Sequence, residues 1–276
     1  MPQLQKWEVP FHDKKSEFFP NLTTLVVEDC GKLRALPALG KLNSLEDLTL
    51  DGLGEIEHLG TEFLGISSNG DGTHDVRSKT VFPKLTSLRI VGMYKWDTKE
   101  EMMETDNQDL PVMPCLEKLT LDSCFMLTVI PSYMFSSSLK TLAMSYCPNL
   151  SGRQPCLPSR LQELELMLDL GEFSTSLPVN NSYHKLTDVK ICQSKCKVLP
   201  RGFDKFTAIK KLEISECDHL DFLPEHFRPL NNLRELLIDK CSLLSKSCIK
   251  GENWSTTART PSIWIDGQQV RLTYAW

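Results

Sequence analysis

The chain of 276 residues is 41% hydrophobic and 24% charged, a balance that excludes a disordered chain and allows one or two folded domains. Its net charge of −5 excludes the Lys/Arg excess on which non-specific nucleic-acid binding runs. No apolar run approaches the roughly 18 residues of a membrane span, and "MPQLQKWEVPFHDKK" lacks the apolar stretch of a signal peptide.

From the N-terminus, residues 1–21 read as a partial repeat, with Trp7 of "MPQLQKW" parallel to Trp96 of "GMYKW". The first full unit is "LTTLVVEDC" (22–30), and further copies begin at Leu45, Leu85, Leu116, Leu139, Leu161, Leu186, Ile209 and Leu233. Six of the eight steps between these nine starts are 22–25 residues long. The two longer steps hold polar insertions, "GISSNGDGTHDVRSKT" (65–80) and "DTKEEMMETDNQD" (97–109), expected as surface loops on one rim. Each copy reads L-x-x-L-x-L-x-x-C and continues as x-x-L-x-x-L-P, as in "GKLRALP" (31–37), "FMLTVIP" (125–131) and "DHLDFLP" (218–224). Several are preceded by a Pro marker, "FPNL" (19–22), "FPKL" (82–85) and "MPCL" (113–116). The repeats fill 1–244, and 245–276 reads as a cap in which Trp254, Trp264 and Trp276 are expected to cover the last open core.

The alternation of Leu119-Thr120-Leu121 marks a half-buried strand of period two, and the following Pro removes the donor that would continue it. One copy cannot bury its own apolar side. Stacked copies can, which predicts an α/β-type repeat: a curved solenoid with a parallel sheet on its concave face and loops and short helical turns on its convex face. The terminal Cys of the unit falls where backbone groups leave the ladder and need partners, and a small thiol with a weak S–H donor suits that place. Leu53, Met93, Asp169 and Ser194 stand there in the remaining copies. Five of the ten cysteines are thereby periodic, which is not a disulfide framework. Neighbours such as Cys217/Cys241 would come near each other but aim badly for a bond. Sequons at Asn21, Asn149, Asn180 and Asn253 read as chance matches in a reduced, cytoplasmic protein.

At these residues the chain resembles the leucine-rich repeat proteins. "LPALGKLNSLEDLTLDGLGEIEHLGTEFLG" (36–65), the insertion after it, "FPKLTSLRIVGMYKW" (82–96) and the ending "CSLLSKSCIKGENWSTTARTPSIWIDG" (241–267) are similar to the C-terminal repeats of plant disease-resistance proteins with a coiled coil and a nucleotide-binding domain. The resemblance implies a recognition module of an intracellular immune receptor. It would sense a pathogen effector or a modified host protein and contribute to autoinhibition by contacting the receptor's own nucleotide-binding domain. A substrate-recognition domain of a ubiquitin ligase, where Cys-bearing repeats also occur, is the alternative.

Nothing in the sequence carries catalysis. The six His form no H-E-x-x-H, Cys192 and Cys196 lack a second pair, and no G-x-S-x-G or G-x-G-x-x-G occurs. "GKLRALPALGKL" (31–42) has the wrong Gly spacing for a P-loop, with Leu42 where a Ser/Thr would meet Mg²⁺. No cofactor, metal or enzymatic role is expected. The x positions of the strands supply the candidate protein-binding face: Val26, Glu28, Asp51, Arg89, Val91, Lys118, Asp122, Tyr146, Met167, Lys190, Lys211, Glu213, Leu237 and Asp239. Acids at strand ends predict an outer edge suited to a basic partner, and Tyr146 is the strongest single contact candidate.

Overall fold

The computed structural model describes residues 3–7, 19–66, 80–98, 111–180, 183–221, 223, 232–249 and 262–270. It forms two compact units, Met1–Leu139 and Lys140–Trp276. The first unit stacks four parallel strands in chain order, β1 (Thr24–Glu28), β2 (Asp47–Asp51), β3 (Ser87–Val91) and β4 (Lys118–Asp122). The second stacks β5 (Thr141–Ser145), β6 (Glu163–Met167), β7 (Asp188–Cys192), β8 (Lys211–Ser215), β9 (Glu235–Asp239) and β10 (Ser262–Ile265), and closes with an antiparallel β11 (Gln268–Val270). All nine starts read from the sequence lie two residues ahead of a strand. Both units have leucine-rich repeat architecture.

Alternation decides what each strand buries. Leu48, Leu50, Leu88, Ile90, Leu119 and Leu121 are almost wholly buried on one side of the first sheet, while their neighbours in sequence line the other. The trailing leucines return to the same core from the far wall, where Leu33, Leu36, Ile56, Leu59, Leu127 and Ile130 are all buried. Short helices cross this wall: one turn at Leu39–Lys41, α1 (Thr61–Leu64) and one turn at Ser132–Met134 in the first unit. Turns at Gly171–Ser174 and Phe203–Lys205, and α2 (Ser242–Ile249), do so in the second.

Neighbouring rungs are tied by buried hydrogen bonds as well as by leucines. Thr98, wholly buried, donates its hydroxyl to Val129 O at 2.6 Å and accepts from Val129 N at 3.1 Å. In the second unit the Tyr183 hydroxyl donates to Leu157 O at 2.8 Å.

Every strand from β1 to β10 ends the same way. The next residue takes a left-handed conformation: Asp29, Gly52, Gly92, Ser123, Tyr146, Leu168, Gln193, Glu216, Lys240 and Asp266 all have φ between 47° and 66°. Only two are glycines, although L-residues pay a penalty there. The return is an extra ladder step. Asp29 N donates to Asp51 O, Gly52 N to Val91 O, Gly92 N to Asp122 O, Leu168 N to Cys192 O and Glu216 N to Asp239 O, at 2.9–3.0 Å.

The periodic cysteine follows one residue later. Cys30, Cys124, Cys147, Cys217 and Cys241 each donate their thiol to the carbonyl two residues back, at 3.3–3.5 Å. That is the strand's last carbonyl, so the thiol caps the outgoing chain while filling an apolar site. Where Cys is absent, Leu53 and Met93 fill the site as fully buried hydrophobes. Asp169 instead accepts from Gly171 N at 2.9 Å and Ser194 from Cys196 N at 3.3 Å. The ten cysteines are free thiols.

The Pro marker also has a structural meaning. Phe19, Phe82 and Met113 have φ of 48–50° and open turns closed by Leu22 N, Leu85 N and Leu116 N. Phe82 and Met113 are fully buried between rungs, whereas Phe19 is 57% exposed, because β1 pairs on one side only. At the far end of the second unit, Asp266 and Gly267, both of positive φ, form the Asp-Gly hairpin turn that reverses the chain into β11.

The C-terminal region differs from the expected cap in two respects. Helix α2 begins at Ser242, before the expected boundary at 245, and β10 then adds a further parallel rung. Trp264 does not cover the core: Ile263 and Ile265 fill it, and alternation turns Trp264 to the opposite face. Trp254, Trp276, residues 67–79 of the first insertion and 99–109 of the second lie outside the described residues.

Candidate functional site

The outward strand face of each unit is a grid of three rows. In the first unit, register aligns Thr24–Asp47–Ser87–Lys118, then Val26–Thr49–Arg89–Thr120, then Glu28–Asp51–Val91–Asp122. All seven candidate residues of this unit therefore share one face. Val26 is 50% exposed. Arg89 and Lys118 form no ion pair among the described residues, even though Asp51 and Asp122 stand on the adjoining row.

In the second unit, the corresponding rows are Thr141–Glu163–Asp188–Lys211–Glu235–Ser262, Ala143–Glu165–Lys190–Glu213–Leu237–Trp264 and Ser145–Met167–Cys192–Ser215–Asp239. Met167, Lys190, Lys211, Glu213, Leu237 and Asp239 thus share its outward face. Tyr146 does not. It occupies the left-handed position just beyond β5, on the rim, and is 43% exposed. Asp29 and Glu216, acids just beyond β1 and β8, occupy the same rim position.

Both lysines of the second grid already meet acidic partners. Lys190 Nζ lies 3.2 Å from Glu165 and 3.6 Å from Glu213, and the hydrogen bond to Glu165 holds this ammonium above the usual lysine range. Lys211 reaches Glu235 at 3.6 Å. On the rim, Glu216 accepts from Gln193 at 2.6 Å and from Lys240 at 3.0 Å, which holds its carboxyl below the usual range. A shallow depression of about 200 Å³ lies around Lys190, bordered by Thr141, Glu163, Asp188 and Lys211. Such partly exposed pairs add little stability, so they are available for exchange with a partner's charges.

Two features escaped the pattern. Tyr94, 49% exposed, stacks on Phe125 with ring centroids 5.1 Å apart, beside Gly54, which leaves room for the ring. A cleft of about 700 Å³ on the loop side of the first unit is lined by Arg34, Glu55, Glu57, His58, Glu62 and Lys95. Within it Glu55 pairs with Lys95 at 2.8 Å, and that hydrogen bond holds the Glu55 carboxyl low. Among the described residues no group of three or more His, Cys, Asp or Glu is placed to hold a metal ion, and no helix is long and apolar enough to cross a membrane.

No family model matches the chain. Curated relatives do. The putative disease resistance RPP13-like protein 1 of Arabidopsis thaliana is 25% identical over 231 residues, which is 82% of this chain and 19% of that protein. The probable disease resistance protein RF9 of the same plant is 26% identical over 243 residues, 87% of this chain and 19% of its own length. A further putative disease resistance protein matches 109 residues at 28% identity. The chain thus spans about a fifth of the length of the first of these relatives, and its likeness to the leucine-rich repeat region of plant disease-resistance proteins extends over most of its residues.

Proposed function

We propose that this chain is the protein-recognition part of a plant intracellular immune receptor, working in the cytoplasm without catalysis. Its strand faces would read a pathogen effector or a modified host protein. In the resting receptor, the same repeats would contact the nucleotide-binding domain and hold it inactive. The observation that carries the reading is the outward grid: rigid, in-register rows of mixed charge and apolar side chains on a sheet whose other side is fully packed. The disease-resistance relatives favour the immune-receptor reading over the ubiquitin-ligase alternative, which would use the same kind of face. An effector that prefers the repeats of the active receptor would shift the equilibrium by its differential affinity.

The test is made in the full-length receptor expressed in leaf tissue. Arg89→Glu with Lys118→Glu reverses the two cations of the first grid, which form no ion pair among the described residues. The expected result is either loss of effector-triggered cell death or death without effector, at unchanged protein level. Lys246→Glu, on the exposed side of α2, should change neither. A grid variant that behaves as wild type in both respects counts against the reading.

A further inference from the structure

The middle row of the second unit changes character along its length. After Ala143 it runs as Glu165–Lys190–Glu213 and ends as Leu237–Trp264. Trp264 is half-buried on the outward face, between the core-facing Ile263 and Ile265. Its indole N–H donates to Ser262 on the same strand and face, at 2.9 Å. This bond fixes the ring and satisfies its one donor. Leu237 lies directly alongside in register and is also half-buried. The result is an apolar step, held in place by β9 and β10, on a face that is otherwise charged.

The charges bordering the step have one sign in excess. On β8 to β10 the outward side chains include Glu213, Glu235 and Asp239 against Lys211 alone. Glu213 and Glu235 meet lysines only at 3.6 Å, a loose contact in a solvated setting. Both carboxylates remain able to take a better-placed donor.

We infer that the Leu237–Trp264 step anchors an arginine or lysine side chain from a basic segment of a protein partner. The aliphatic stem would lie on Leu237 and the cation against the indole face. Its charged end would exchange for Lys190 and Lys211 at Glu213 and Glu235. This rests on the protein-recognition reading and adds the chemistry of the partner. Trp is among the side chains enriched at energetically dominant contacts, and this one carries a charge-complementary border.

The 276-residue chain, labelled at its indole nitrogens, is titrated with acetylated, amidated tetra-arginine and followed by NMR. The Trp264 cross-peak is assigned by its loss in Trp264→Phe. The expected result is a saturable shift of that peak, absent with tetra-glutamate. Glu213→Gln with Glu235→Gln should weaken the interaction at least fivefold, and Glu172→Gln with Asp204→Asn, exposed on the far-wall turns, should change it less than twofold. No shift, an equal shift with tetra-glutamate, or equal weakening by the two variant pairs would overturn the inference. Cell-death assays do not enter this readout. Failure here with a grid-dependent receptor response removes the anchor alone, and success without such a response leaves a basic-segment site in a protein of another role.

Discussion

Two glycines of the first unit separate conformational strain from lack of space. Gly52 has φ of 66° at the left-handed position after β2, and an added Cβ would meet its nearest atom, Asp29 Oδ1, at an ordinary 3.4 Å. Gly40, in the turn Leu39–Lys41, lies outside the left-handed region, but its Cβ would run into the Leu64 carbonyl and approach Val81 to 2.7 Å. For Gly52→Ala, the left-handed penalty is about 1–2 kcal/mol. Reduced freedom of the unfolded chain offsets about 0.4–1 kcal/mol of it, leaving a loss of about 1 kcal/mol. For Gly40→Ala, the obstacle is backbone that cannot rotate away. The loss should reach about 3 kcal/mol, the upper end of overpacking costs. In urea titrations followed by circular dichroism, with a slope of roughly 2 kcal/mol per M, the midpoint should fall by about 0.5 M for Gly52→Ala and about 1.5 M for Gly40→Ala. Equal shifts, or the reverse order, would refute the account of where this unit is strained and where it is tight.

Thr98→Val should cost about 2–4 kcal/mol, because it strands a buried donor and a buried acceptor of Val129 at once. Thr98→Ser keeps both bonds and should cost about 1 kcal/mol in the same titration, so the reverse ranking would remove the hydroxyl from the account. Tyr183 offers a pH test, since burial pushes its phenol up to about 12. The unfolded chain gives up this proton first, near pH 10. Wild-type stability relative to Tyr183→Phe should therefore be constant below pH 10 and fall by about 1.4 kcal/mol per pH unit between 10 and 12. Parallel stability curves for the two proteins would contradict this.

The strands were legible because burial of one side imposes a period on the sequence. Even the irregular copies at Leu161 and Leu186 form β6 and β7 in register, since Leu164, Leu166, Val189 and Ile191 keep the alternation. The outward residues could be placed on a face by the same parity, but their pairing could not. Lys190 between two glutamates and Arg89 without an ion pair among the described residues look alike in a string of letters. The left-handed column was hidden because seven different residue types occupy it beside the two glycines, and only the Cys that follows betrays the turn. Trp264 was misplaced by its size: a large aromatic near an open core suggests a plug, while the I-x-I alternation around it dictates the outward side.

That left-handed column has a consequence for diversification. The same left-handed backbone recurs whichever side chain occupies it, supported at most positions by the extra ladder bond and at five of them by the following thiol. Tyr146, Leu168, Gln193, Glu216 and Lys240 all satisfy the same backbone. A lineage under pressure to alter its binding specificity could rewrite this rim one codon at a time, each change moving chemistry at the surface while the scaffold beneath keeps its shape.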